Sequence, residues 1–120
     1  MDRSDKTTPG ADQMNYLKKA EKALEYLAET EEEYARLKAL VKYAPERIKA
    51  FLAVLATESN ESSQAGKQAA ALASEDHDAQ LNSFEEVSKA FFEIQEKRHR
   101  AELTIEMYRS VNSALKRGNI

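Results

Sequence analysis

The sequence predicts an all-α protein. It should have two long heptad-patterned helices that form an antiparallel hairpin with a short connecting helix, and it should oligomerise as a helical bundle or ring. Three observations lead there. Helix formers such as Ala, Glu, Lys, Leu and Gln dominate, with only three Gly and two Pro in 120 residues. No segment alternates with a period of two in β-branched residues. Two apolar series instead keep a spacing of three and four over long stretches.

The first series is Tyr16, Ala20, Ala23, Leu27, Thr30, Tyr34, Leu37, Val41, Ala44, Ile48, Phe51 and Leu55, widened by Leu17, Leu24, Leu40 and Leu52. Pro45 lies inside it. Proline removes a helical hydrogen bond and crowds the preceding turn, yet the phase is the same on both sides. A helix kinked at Pro45 is expected, and the alternative is two helices with Pro45 opening the second. Ahead of this series, residues 1–11 are polar, contain Pro9-Gly10 as a breaker, and are expected to be a disordered tail. Asp12 is the expected cap, and residues 12–117 the single helical domain, followed by a tail at 118–120.

Residues 57–63, TESNESS, contain no apolar side chain and read as a turn. Ser62 or Ser63 should cap a short Ala-rich helix over 64–73, which a neighbour could approach closely. Ser74 followed by Glu75, Asp76 and Asp78 marks a second start, since a hydroxyl cap and anions both suit the positive end of a helix. The last helix then runs from Glu75 to about Arg117, roughly 60 Å at 1.5 Å per residue. Its seam is Phe84, Val87, Phe91, Ile94, Arg98, Ala101, Ile105, Tyr108, Asn112 and Leu115, and Gly118 should end it. A hairpin of two such helices leaves Leu17, Leu24, Leu40, Leu52, Phe92 and Leu103 uncovered, and self-association would cover them.

The net charge of −3 hides alternating blocks: −4 over residues 1–35, +4 over 36–49, −7 over 50–96 and +4 over 97–120. Antiparallel neighbours could pair these opposite charges. Alternatively the two basic blocks form one surface for a polyanion. The candidate nucleic-acid-binding residues are Lys38, Lys42, Arg47 and Lys49 from the first block, and Lys97, Arg98, Arg100, Arg109, Lys116 and Arg117 from the second. Tyr43 and Phe51 lie near the first set and could stack on unpaired bases, although Phe51 is a seam residue.

Arg98 also falls on the seam, where a guanidinium needs a partner. An ion pair with one of Glu31 to Glu33 is the plainer reading, and a groove-lining role the alternative. Asn112 on the seam is expected to fix register or oligomer state. His77 sits between Asp76 and Asp78, but consecutive residues fan around a helix and do not converge on a metal. His99 reads as an exposed member of the basic cluster.

No Gly-rich phosphate loop, nucleophile elbow or metal motif occurs, so a non-enzyme without cofactor is expected. The absence of cysteine excludes disulfides and thiolate sites. With no signal-like apolar core at the N-terminus and no span-length apolar run, the expectation is a soluble intracellular protein.

Three short words carry a resemblance: ASEDHDAQ (73–80), KRHRAEL (97–103) and RSVNSALKRGNI (109–120). With them the chain resembles small helical proteins of tailed phages. Its order of long basic helix, short helix and long final helix is similar to UvsY-type recombination mediators, over residues from about 30 to 120. The resemblance implies a ring-like homo-oligomer that binds single-stranded DNA and helps load a recombinase in place of a single-strand-binding protein, in the cytoplasm of a bacterial host. By position, Lys42, Arg47 and Lys49 match the basic middle helix. Lys97, Arg98 and Arg100 match the cluster of the final helix, and Lys116 and Arg117 its basic end. The rival expectation is a structural or adaptor coiled coil whose seams bind a protein partner.

Overall fold

The structure, a computed structural model, describes residues 9–118, with side chains described from Met14 onward. Among these residues there are three helices and no strand: α1 (Pro9–Thr57, 49 residues), α2 (Gln64–Leu72, 9 residues) and α3 (Glu75–Lys116, 42 residues). The two long helices pack together. Two compact units can be distinguished, one from the described residues of Met1–Glu32 and Ile94–Ile120, the other from Glu33–Glu93.

Helix α1 begins at Pro9, ahead of the Asp12 at which the sequence set its start. Pro9 therefore opens the helix where a breaker was expected. The first turn has no use for the amide hydrogen that proline lacks, and the fixed φ of proline suits it. Residues 1–8 of the expected tail lie outside the described residues. Helix α1 also continues through Pro45 as one element, as expected of a series whose phase is unbroken, and the alternative of two helices does not occur. The Val41 carbonyl loses its helical donor there. Replacing the exposed Pro45 by Ala is expected to restore that bond and to stabilise the fold by up to about 3 kcal/mol. A higher midpoint of urea unfolding would show it, and an unchanged midpoint would mean that the helix had already absorbed the cost.

Both heptad series are the buried faces of their helices. Every α1 position from Tyr16 to Leu55 in the series is buried or half-buried, as is every α3 position from Phe84 to Leu115. In the first unit the most buried side chains are Ala20, Ala23 and Ala101, whose small size lets helices approach closely. In the second they are Leu37, Ala56, Ala71, His77 and Phe91. Phe91 stacks on Tyr34 with ring centroids 5.6 Å apart and meets Phe92 edge-on at 5.1 Å. Of the leucines and phenylalanine expected to stay uncovered, Leu24, Phe92 and Leu103 are more than half exposed, whereas Leu17, Leu40 and Leu52 are half-buried.

The α3 seam runs further back than its first phenylalanine. Stepping four and three residues from Phe84 leads to Gln80 and His77, and both are withdrawn from solvent. Neither Nδ1 of His77 nor Oε1 of Gln80 meets a hydrogen-bond partner.

The connections are built from hydroxyl caps. Ser63 caps α2 by accepting from the Gly66 amide at 3.0 Å. A side chain at Gly66 would bring a Cβ within 2.9 Å of that capping oxygen, which explains the glycine. Ser74 joins α2 to α3: its hydroxyl donates to the Ala71 carbonyl at 2.8 Å and accepts from the His77 amide at 3.1 Å. Glu75, Asp76 and Asp78 occupy the first turn of α3, where the helix dipole favours anions. At the far end Gly118 takes φ 75°, the left-handed conformation that closes a helix, and its amide bonds the Leu115 carbonyl at 3.0 Å.

Candidate nucleic-acid interface

One gathering of cations lies in the unit of 1–32 and 94–120. Lys19 and Lys22 of α1 and Lys97 and Arg100 of α3 stand around a shallow depression of about 430 Å³. The buried Ala23 and Ala101 form its floor, Tyr26 and Thr104 complete the lining, and no acid takes part. All four cations are exposed. Bringing like charges together costs Coulomb energy that a bound anion would offset.

This gathering differs from the one expected of the sequence. Lys97 and Arg100 belonged to the expected set, but Lys19 and Lys22 did not, because block averaging placed them in a net acidic stretch. A finer signal was present. Lys19-Ala20 and Lys22-Ala23 on α1 repeat as Lys97-Arg98 and Arg100-Ala101 on α3, so the four cations occupy equivalent positions beside their seams.

Arg98 is turned away from this set. It is half-buried, and its Nη1 donates to the Leu27 carbonyl at 2.8 Å and to Thr30 Oγ1 at 2.7 Å, both on α1. Thr30 in turn donates its hydroxyl to the Tyr26 carbonyl at 2.7 Å. Arg98 is thus held against α1, and two of its partners are uncharged oxygens, where the plainer reading had named a carboxylate of Glu31 to Glu33. Arg109 donates to Glu106 at 3.0 Å, and His99 lies 4.0 Å from Glu102, with both side chains exposed. Lys116 and Arg117 are exposed beside the closing glycine.

The other basic block lies in the Glu33–Glu93 unit, and its four candidate cations divide between two sides of α1. Arg36 gives two hydrogen bonds to Glu33, at 2.8 and 2.7 Å. The Arg36 hydrogen bond holds the Glu33 carboxyl below its ordinary value. Lys38 places Nζ 5.8 Å from the Tyr34 ring centroid, and Lys42 places its own 5.5 Å from that of Tyr43. At 100° per residue Lys42 and Lys49 fall within about 40° of Lys38 around the helix, whereas Arg47, nine residues on from Lys38, falls about 180° away. Tyr43 is 52% exposed. Phe51 is half-buried on the seam, which favours a core role.

Among the described residues no cluster of three His, Asp or Glu side chains is placed to hold a metal. None of the described helices is long and apolar enough to cross a membrane. No protein-family model, curated protein or solved structure matches the chain.

Proposed function

We propose that this chain is a non-enzymatic, homo-oligomeric protein of the bacterial cytoplasm that binds single-stranded DNA and assists recombinase loading, in the manner of the phage mediators it resembles. Its two long helices form an antiparallel hairpin that self-associates. One observation supports the ligand above all: Lys19, Lys22, Lys97 and Arg100 surround an uncharged floor without a single acid in the lining. Cations so placed can each neutralise a phosphate and release its counterion, while the Tyr26 ring offers a face for one unpaired base.

The test is fluorescence anisotropy of a labelled single strand of about 16 nucleotides, long enough for a typical binding site. Saturable binding is expected at low salt. Four phosphates on a single strand give a log–log salt slope of about −3. Absence of binding at low salt removes the nucleic-acid reading.

A second reading, an adaptor coiled coil for a protein partner, is favoured by the exposure of Leu24, Phe92 and Leu103, each more than half open to solvent. It expects no oligonucleotide affinity and no change in binding when the four cations are replaced.

A further inference from the structure

In the Glu33–Glu93 unit, α1 and α2 flank a groove of about 510 Å³. Leu52, Ala56, Ala71 and Leu72 line it with apolar surface, and Leu72 is 57% exposed. Lys49 and Lys67 stand on the same groove, and no acid lines it. An occupant that fits must bring apolar bulk and negative charge together.

The same unit carries such a surface on α3. Asp78, Leu81 and Glu85 are spaced by three and four residues and so share one helical face. Leu81 is 41% exposed, and both acids are exposed. Within one copy the two surfaces do not satisfy each other. The ion pairs Arg36–Glu33, His99–Glu102 and Arg109–Glu106 each join residues three apart on one helix. Lys49, Lys67, Asp78 and Glu85 make none among the described residues.

We infer that the groove is occupied by a second copy of this chain, through its Asp78–Leu81–Glu85 face. Leu81 covers the apolar lining and Leu72, and the two carboxylates meet Lys49 and Lys67. Because floor positions 56 and 71 are alanines, a helix can approach closely there. This rests on the homo-oligomeric reading above and names the surfaces that build it. Groove and face are different patches. Unless a two-fold axis returns the contact reciprocally, copies therefore join head to tail, giving a ring where the rotation closes and a filament where it does not.

Sedimentation velocity on the full chain tests this with two charge-reversed variants, K49E/K67E and D78K/E85K. The wild type is expected to sediment well above its 13.5 kDa monomer mass. Each variant alone should sediment as monomer, with helical circular dichroism unchanged. An equimolar mixture should recover the wild-type species, since reversed groove then meets reversed face. Leu81→Ala, which leaves charge untouched, should weaken assembly about tenfold. If both variants and L81A keep the wild-type size, or the mixture stays monomeric, the groove is not the contact while self-association stands. A monomeric wild type overturns the homo-oligomeric reading itself, and this contact with it.

Discussion

Replacing Lys19, Lys22, Lys97 and Arg100 together by alanine is expected to lower single-strand affinity by about 10²–10³-fold at low salt, and to flatten the salt dependence. Four phosphate contacts on a single strand account for a slope of about −3, and each cation removed takes roughly 0.7 of it. Slope and affinity should therefore fall in step through the single, double and quadruple variants. Arg109→Ala serves as the comparison. That guanidinium is already bonded to Glu106 at 3.0 Å, and its loss should change affinity less than about threefold.

The same quadruple variant should be at least as stable as the wild type. All four side chains are exposed, and surface substitutions away from special features change stability by about 0.5 kcal/mol or less. Here the change should be favourable, because like charges held around one depression repel one another. Affinity that falls while the melting temperature holds or rises is the signature of residues gathered for a ligand. Cations that served only to hold the fold would show the opposite, with melting temperature and affinity falling together. If the quadruple variant binds as the wild type does, the patch is not the interface and the adaptor reading gains.

Periodicity made most of this fold readable in advance. An apolar side chain every three or four residues can be buried only if the chain is helical, and the phase is a property of the sequence itself. Pro45 left that phase intact and was rightly placed inside the series. Phase also reaches His77 and Gln80, but the acids beside His77 drew attention to helix capping, and both effects turn out to operate in one turn. Other features needed side-chain placement. Arg98 was legible as a seam cation, yet its bonds to the Leu27 carbonyl and the Thr30 hydroxyl were not. A sequence advertises charged partners such as Glu31 to Glu33, whereas every residue has a carbonyl. The gathering of Lys19 and Lys22 with Lys97 and Arg100 escaped for a related reason. Summing charge along the chain treats Lys19 and Lys22 as a minority among glutamates, while a folded helix sorts them by heptad position, where they match Lys97 and Arg100.

The largest loss of stability from a single substitution is expected at Phe91. Its side chain is 6% exposed and lies flat on Tyr34, 10° from parallel. Truncating a buried phenylalanine to alanine costs about 3–5 kcal/mol, combining lost transfer energy with the cavity left behind. Here the lower end applies, since the neighbouring Phe92 is 57% exposed and can swing toward the vacated space. About 3 kcal/mol is a large share of the 5–15 kcal/mol that holds a typical domain together. It should lower the melting temperature by more than 10 °C. Phe91→Leu keeps most of the volume and should cost less than about 1.5 kcal/mol. Phe92→Ala, which removes an exposed ring, should cost little. A double-mutant cycle with Tyr34→Ala should return a coupling of about 0.5–1.5 kcal/mol for the stacked pair. Equal losses for F91A and F92A would mean that the seam is not the core of this unit. Phe91 contributes nothing to the lining around Lys19 and Lys97. F91A below its melting temperature should therefore bind the single strand as the wild type does, separating the residue that holds the helices together from those that meet the ligand.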